Sequence, residues 1–175
     1  VANIPVGALV TGPQVGREIY VRDRNVAARE ITLSQPLHGT PGRASFTFTR
    51  FKYVLDFTGF DRLDLFSLSD IEINCREQAS GIALARAGVA FQMRDCFVTR
   101  PGHRGVTSVG YGCQGMLVDR CQFISRESDL APGDRETVAL NANANDVKLR
   151  DNRATQFRHF AVLSGTHNLV SGNHF

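Results

Sequence analysis

Tryptophan is absent from the 175 residues and methionine occurs only twice. The aromatic content is therefore twelve Phe and three Tyr, which suits stacked interior packing better than an indole-lined sugar cleft. No run reaches 18 apolar residues, so no segment reads as a membrane-spanning helix. The four cysteines, Cys75, Cys96, Cys113 and Cys121, show no Cys-x-x-Cys spacing, and no His-x-x-x-His pair or Cys/His cluster accompanies them. Free thiols are expected, with no metal and no cofactor. Lys and Arg form no run either. The formal net charge is +3, with seven Lys/Arg against four Asp/Glu in residues 1–59 and thirteen of each in residues 60–175. Without a basic stripe, nucleic acid is not an expected partner.

What the chain does contain is a recurring phrase. Gln92-Met93-Arg94-Asp95-Cys96-Phe97-Val98 returns as Leu117-Val118-Asp119-Arg120-Cys121-Gln122-Phe123, as Lys148-Leu149-Arg150-Asp151-Asn152-Arg153-Ala154 and as Leu169-Val170-Ser171-Gly172-Asn173-His174-Phe175. A weaker copy is Ser67-Leu68-Ser69-Asp70-Ile71-Glu72-Ile73. The frame residues Ile71, Cys96, Cys121, Asn152 and Asn173 are separated by 25, 25, 31 and 21 residues, a spacing that signals a solenoid or stacked array. Within each copy apolar residues alternate, the period of a strand, and the leucines of a leucine-rich repeat are missing. The expected fold is all-β, a right-handed parallel β-helix with an irregular N-terminal cap or attachment segment.

In such a coil each frame position stacks on its counterpart about 4.8 Å away. The predicted interior files are Leu68, Met93, Val118, Leu149 and Val170, and Ile73, Val98, Phe123, Ala154 and Phe175. The frame file changes from cysteine to asparagine. Asparagine at a bend can satisfy backbone groups of its own and neighbouring coils, and cysteine fills the same place as a small buried residue. This ladder is structural and carries no chemistry by itself.

Residues 1–59 read as a cap and lead-in, and residues 60–175 as coils. Residues 1–15 are punctuated by Gly and Pro and read as irregular. Ile19-Tyr20-Val21 and Ile31-Thr32-Leu33 suggest short strands after Arg17, with Val26-Ala27-Ala28-Arg29 between them as a helical turn. Residues 36–43, Pro41 among them, read as a loop. Ser45-Phe46-Thr47-Phe48-Thr49 and Tyr53-Val54-Leu55-Asp56-Phe57 read as strands, part of which would cover the first coil's sticky edge. A second strand per coil, through Ile82, Val106 to Val109, Val138 and Val162, recurs after 24, 32 and 24 residues. The longest coil carries a charged insertion containing Arg126, Glu127, Asp129, Asp134, Arg135 and Glu136. Solenoid insertions emerge as loops, often on the binding face, so these six are the candidate ligand-binding residues. The chain starts on Val1 and stops on Phe175 inside a repeat phrase, which suggests that both ends are cut and that coils continue past residue 175.

Two outward files carry the candidate chemistry. One reads Ser69, Arg94, Asp119, Arg150, Ser171, and the other Asp70, Asp95, Arg120, Asp151, Gly172. Adjacent coils could hold carboxylates at the separation glycosidases use, about 5 to 9.5 Å, which makes Asp95, Asp119 and Asp151 candidate catalytic or sugar-binding residues, with His159 or Lys148 as helpers. The alternation with arginine also describes a surface ion-pair ladder, each exposed pair contributing about 0 to 1 kcal/mol. Arginine neighbours would depress the aspartate pKa values and leave no protonated general acid. The glycine-rich Gly110-Tyr111-Gly112-Cys113-Gln114-Gly115 falls between two strands and reads as a tight turn rather than a phosphate cradle.

The asparagine-ladder phrases Gly172-Asn173-His174-Phe175 and Asp151-Asn152-Arg153-Ala154, the coil spacing and the phrase Val54-Leu55-Asp56-Phe57-Thr58-Gly59-Phe60 resemble the pectate-lyase-like parallel β-helix proteins, which include phage tailspikes. The N-terminal stretch from Ile19 to Phe57 is also similar to phage-derived spike proteins of alphaproteobacterial gene transfer agents. This resemblance implies a virion or head spike, a homotrimer on the surface of a phage-like particle or otherwise secreted, which attaches it to bacterial surface polysaccharide for host attachment and contacts other virion proteins. Phe97, Tyr111 and Phe157 are candidates for the trimer contact. The alternatives are a polysaccharide lyase or glycoside hydrolase of the same fold, and a purely structural segment of a larger assembly.

Overall fold

The computed structural model describes residues 1–4, 7–16, 19–39, 42–108 and 110–175. The expected strand starting at Arg17, the loop around Pro41 and the end of the Val106 strand at Val109 touch positions outside the described residues. The fold is all-β, and short parallel strands stack into a right-handed solenoid of about five turns.

Each coil repeats one plan. Ser67–Ser69, Gln92–Arg94, Leu117–Asp119, Lys148–Arg150 and Leu169–Ser171 form one parallel sheet, called here the Met93 sheet. Glu72–Asn74, Phe97–Thr99, Gln122–Ile124 and Arg153–Thr155 form the Val98 sheet. Tyr53–Asp56, Ser80–Ala83, Arg104–Ser108, Val138–Asn143 and His159–Ser164 form the Val106 sheet. A short fourth face, Leu63–Asp64, Ala87–Val89 and Gly112–Gln114, closes the earlier coils. The parallel stack thus begins at Tyr53.

The register is the predicted one on two faces. Met93 lies between Leu68 and Val118, and the file continues through Leu149 to Val170. Val98 lies between Ile73 and Phe123, followed by Ala154. Met93, Val98, Val118, Phe123 and Leu149 are fully buried, each contributing about 1.5 to 3 kcal/mol. In the last coil the files come to the surface, with Val170 and Phe175 exposed. A third interior file, Phe66, Phe91, Met116 and Val147, runs through the residues just before the Met93 sheet strands and ends on Asn168, whose Oδ1 accepts the Val147 amide at 3.0 Å.

The frame file holds its ladder. Asn152 Oδ1 accepts the Cys121 amide at 2.9 Å, and its Nδ2 donates to Val118 O and to Asn173 Oδ1. Asn173 repeats the pattern one coil on, accepting the Asn152 amide and donating to Leu149 O and Ser171 O. Cys96 and Cys121 are buried free thiols that lean on the carbonyls of Arg94 and Asp119.

Two corners of the coil are turned by single residues in the left-handed region. One file is Leu65, Ala90, Gly115, Asp146 and His167, the other Asp70, Asp95, Arg120, Asp151 and Gly172, with φ from +51° to +65°. For a residue with a side chain this conformation costs roughly 1–2 kcal/mol, and Asp, His and Gly tolerate it best. At Gly172 a Cβ would also stand 2.0 Å from Asp151 Oδ1.

The N-terminal segment is an antiparallel sheet ordered Glu30–Leu33, Ile19–Asn25, Leu9–Thr11, Thr47–Thr49. Two expectations change here. Leu9–Thr11 is an inner strand of this sheet although Gly7, Gly12 and Pro13 bracket it. Residues 26–29 are the reversing turn between paired strands, with Arg29 at φ +57°, and not a helical turn. The sheet has its own small core of Ala8, Val10, Ile19 and Val21. It packs along the flank of the coils, where Tyr20 meets Arg104, Asp23 meets Arg86 and Tyr111, and Gln35 meets Ser164. Phe60 and Leu65, at the first-coil edge, stay exposed. This flank packing explains why Ser80–Ala83 and Arg104–Ser108 are buried at every position, whereas Glu72–Asn74 and Gln122–Ile124 alternate exposed and buried.

The Val106 sheet departs from the predicted register. Val106 faces Ile82 and Leu140, and Leu140 faces Ala161. Val138 instead faces Arg104 and His159, and Val162 faces Asn141. The charged insertion absorbs the difference, so apolar residues near the expected interval are offset by one or two positions.

Removing Asn152 tests the ladder. Asn152→Ala leaves the buried Cys121 amide and Val118 carbonyl without these partners and is expected to cost about 1–3 kcal/mol. Asn173→Ala, on the half-buried last coil, costs less. Equal losses for the two variants in urea denaturation, or none for Asn152→Ala, would contradict this ladder.

Candidate functional site

The outward face of the Met93 sheet carries the predicted charge files. Parallel register stacks Arg94, Asp119 and Arg150 on three successive coils, with Arg120 beside them at the corner. Asp119 is 0% exposed because these arginines lie over it. Its Oδ2 accepts from Arg94 Nη1 at 3.1 Å, Arg120 Nη1 at 2.8 Å and Arg150 Nη2 at 3.1 Å, and its Oδ1 accepts from Arg150 Nε at 3.2 Å. Arg120 also grips Asp95 with two hydrogen bonds, 2.9 and 2.7 Å long.

The electrostatics follow. The hydrogen bond from Arg150, reinforced by the charges of Arg120 and Arg94, outweighs burial and holds the Asp119 carboxyl below its usual range. The Arg120 hydrogen bond does the same for Asp95. Both stay ionised at neutral pH, and neither is a reservoir of protons. Asp95 and Asp151 also occupy left-handed corners, so a conformational demand accounts for the aspartates there. Of the suggested helpers, Lys148 lies on the same sheet next to Leu149, whereas His159 lies on the Val106 sheet opposite Val138 and does not join the aspartates.

The charged insertion leaves the solenoid between the Val98 and Val106 sheets, and its six candidates play different parts. Glu127 is buried, and its carboxylate accepts from the amides of Glu136 and Thr137 and from the Thr137 hydroxyl, stapling the two ends of the loop together. Burial raises its pKa, but these hydrogen bonds prevail and keep the carboxyl below its usual range. Arg126 Nε donates to Gly102 O at 3.2 Å, tying the insertion to the shorter neighbouring loop, and Arg135 Nε donates to Leu130 O at 3.1 Å. Asp129, Asp134 and Glu136 are exposed, with Asp134 closing the single 3-10 turn Pro132–Asp134.

Of the aromatic trimer candidates, Phe97 is 42% exposed on the Val98 sheet and Tyr111 47% exposed. Tyr111 is engaged within the chain, donating to Asp23 at 2.7 Å and lying under Arg22 and Arg86. Phe157 is 1% exposed and belongs to the interior, so it offers no surface for such a contact. Burial pushes the Cys75 thiol up to about 11 and Cys121 up to about 12, which leaves them protonated and unreactive at neutral pH.

Sequence reasoning missed Arg104. It is fully buried between the coils and the N-terminal sheet, where its Nε donates to the Tyr20 hydroxyl at 2.8 Å and its guanidinium lies over the Phe51 ring. Its neighbours in register, Ser80 on one side and Val138 then His159 on the other, are mixed in polarity, so the repeat carried no signal of this burial. Comparison with known protein families, characterised proteins and solved structures finds no match.

Asp119 makes a pH prediction. A carboxylate whose pKa is depressed on folding stabilises the protein above its unfolded-state value, and that contribution disappears as the pH falls through the folded-state value. Asp119→Asn is therefore expected to lose about 1–3 kcal/mol at neutral pH. The gap between variant and wild type should close below the ordinary carboxylate value of 3.8. Denaturant unfolding at both extremes checks it, and a gap independent of pH would refute the linkage.

Proposed function

We propose that this solenoid is a binding shaft for extended polysaccharide, working as part of a trimeric spike that attaches a phage-like particle or gene transfer agent to the bacterial surface. The observation that carries this reading is the Arg94, Asp119, Arg120 and Arg150 cluster. One buried carboxylate fixes three guanidiniums, each still 39% to 51% exposed, on consecutive coils about 4.8 Å apart. Guanidinium groups held this way present directed N–H donors to the hydroxyl oxygens of a long polymer without first losing side-chain entropy. Exposed polar groups of the insertion, Asp129, Asp134 and Glu136, stand beyond the Val98 sheet, on its side away from this face.

Binding is favoured over cleavage because hydrolysis needs one carboxyl that stays protonated, and Asp95 and Asp119 are both driven toward the ionised form. Sedimentation of the protein with purified bacterial capsular polysaccharides tests the reading. A polymer that binds wild type is expected to bind the Arg94→Gln, Arg150→Gln double variant at least tenfold more weakly, with no new reducing ends and no ultraviolet-absorbing product. Unchanged affinity in the variant would overturn the assignment to this face. Release of oligosaccharide that Asp119→Asn abolishes would replace it with a lyase or hydrolase.

A further inference from the structure

The outward side of the Val98 sheet lies round the corner from the arginine cluster. Parallel register stacks Glu72, Phe97, Gln122 and Arg153 in one outward file, and Thr99, Ile124 and Thr155 in the next. The residue between the two files is buried in every strand, so both files turn away from the core. The Asp95, Arg120 and Asp151 corner bounds this sheet on one side, and the charged insertion, which leaves just after Ile124, bounds it on the other. A polymer that reaches from the arginines to the insertion crosses it.

The first file is marked by the groups it leaves unused. Phe97 is 42% exposed, with Glu72 on the coil before it and Gln122 on the coil after. Gln122 and Arg153 are exposed, and no hydrogen bond or ion pair engages either side chain among the described residues. On the Met93 sheet, by contrast, Arg94, Arg120 and Arg150 all commit donors to Asp119. The Glu72 carboxylate at the foot of the file already accepts from the Thr99 hydroxyl at 2.9 Å. Beside the file a hollow of about 170 Å3 opens among Gln122, Ile124, Arg153 and Thr155. It is smaller than enclosed small-molecule sites, about 300–1,000 Å3, and suits a guest that lies along the face.

A sugar ring has an apolar face of C–H groups and a rim of hydroxyls. The electron-rich face of an aromatic ring meets the first. The amide of Gln122 both donates to and accepts from hydroxyls, and the guanidinium of Arg153 donates. Successive coils about 4.8 Å apart present these three groups in line. An apolar partner laid on Phe97 would cover the amide and guanidinium beside it without pairing them, which is unfavourable. We propose that the outward face of the Val98 sheet binds uncharged hexopyranose units of a glycan, one ring stacked on Phe97 and the following units hydrogen-bonded to Gln122 and Arg153. The assignment does not rest on the arginine cluster, and it takes Phe97 out of the residues available for a trimer contact.

Nuclear magnetic resonance titration of the full chain with three uncharged hexasaccharides, maltohexaose, cellohexaose and mannohexaose, tests it. At least one is expected to give saturable shifts of the Phe97, Gln122 and Arg153 amides, with Overhauser contacts between the Phe97 ring and sugar C–H protons. Phe97→Leu, an exposed change that keeps apolar area but removes the ring, should weaken binding roughly fivefold, and Phe97→Tyr should retain it. The Arg94→Gln, Arg150→Gln double variant should bind the hexasaccharides as wild type does, which separates failure here from failure of the arginine face. No saturable shift with any of the three sugars, shifts confined to other faces, or equal affinity in Phe97→Leu would overturn the proposal. Sedimentation in which Phe97→Leu dissociates an oligomer without changing sugar affinity would also overturn it, by making this face a contact between copies.

Discussion

In-register parallel pairing is the constraint on which the rest of this structure depends. Each strand bonds to its equivalent one coil away, so a residue cannot choose its neighbours independently. It stands between two copies of its own position. That single requirement assembles the Met93 and Val98 files into one interior, places Asn152 where it can serve both Cys121 and Val118, and brings Arg94, Asp119 and Arg150 together on the outside. Interior packing and exterior electrostatics are thus two results of one alignment.

The repeat made most of this legible in the amino-acid sequence. The frame spacing predicted which residues would stack, because a two-residue period and a coil-length period together determine a register. It was less informative where length varies. Val138 and Val162 looked like partners of Val106, but the insertion shifts pairing to Leu140 and Ala161, and hydrophobicity alone cannot distinguish adjacent apolar positions. Leu9–Thr11 was hidden because glycine and proline flank a strand whose pairing comes from distant residues. Asp70, Asp95 and Asp151 read as a charged surface file, yet their positive φ supplies a backbone reason for them. Arg120 and Leu65 at equivalent corners show that the preference can be overridden.

The candidate chemistry was legible in kind but not in detail. Alternating arginine and aspartate implied ion pairing, and the structure adds that one carboxylate is entirely covered while its three partners remain half exposed. Such a cluster spends its negative charge on orienting positive groups. Glu127 shows the opposite case, a residue that looks like part of a binding loop and is used to close that loop. Arg104 lay beyond sequence reasoning because its burial comes from a separate sheet, whose Tyr20 is 84 positions upstream.

The corners also differ in their tolerance of length. Two are turned by one left-handed residue in each coil, which permits neither insertion nor deletion without breaking the stack. The third, between the Val98 and Val106 sheets, spans residues 75–79, 100–103, 125–137 and 156–158 in successive coils. The connections leaving the Val106 sheet also vary, residues 57–62 against 84–86, but the widest variation in this molecule lies along this seam. Lineages of this architecture would diversify by swapping outgrowths on that seam while the shaft stays constant, and foreign peptides displayed there would project in a row from a rigid spine.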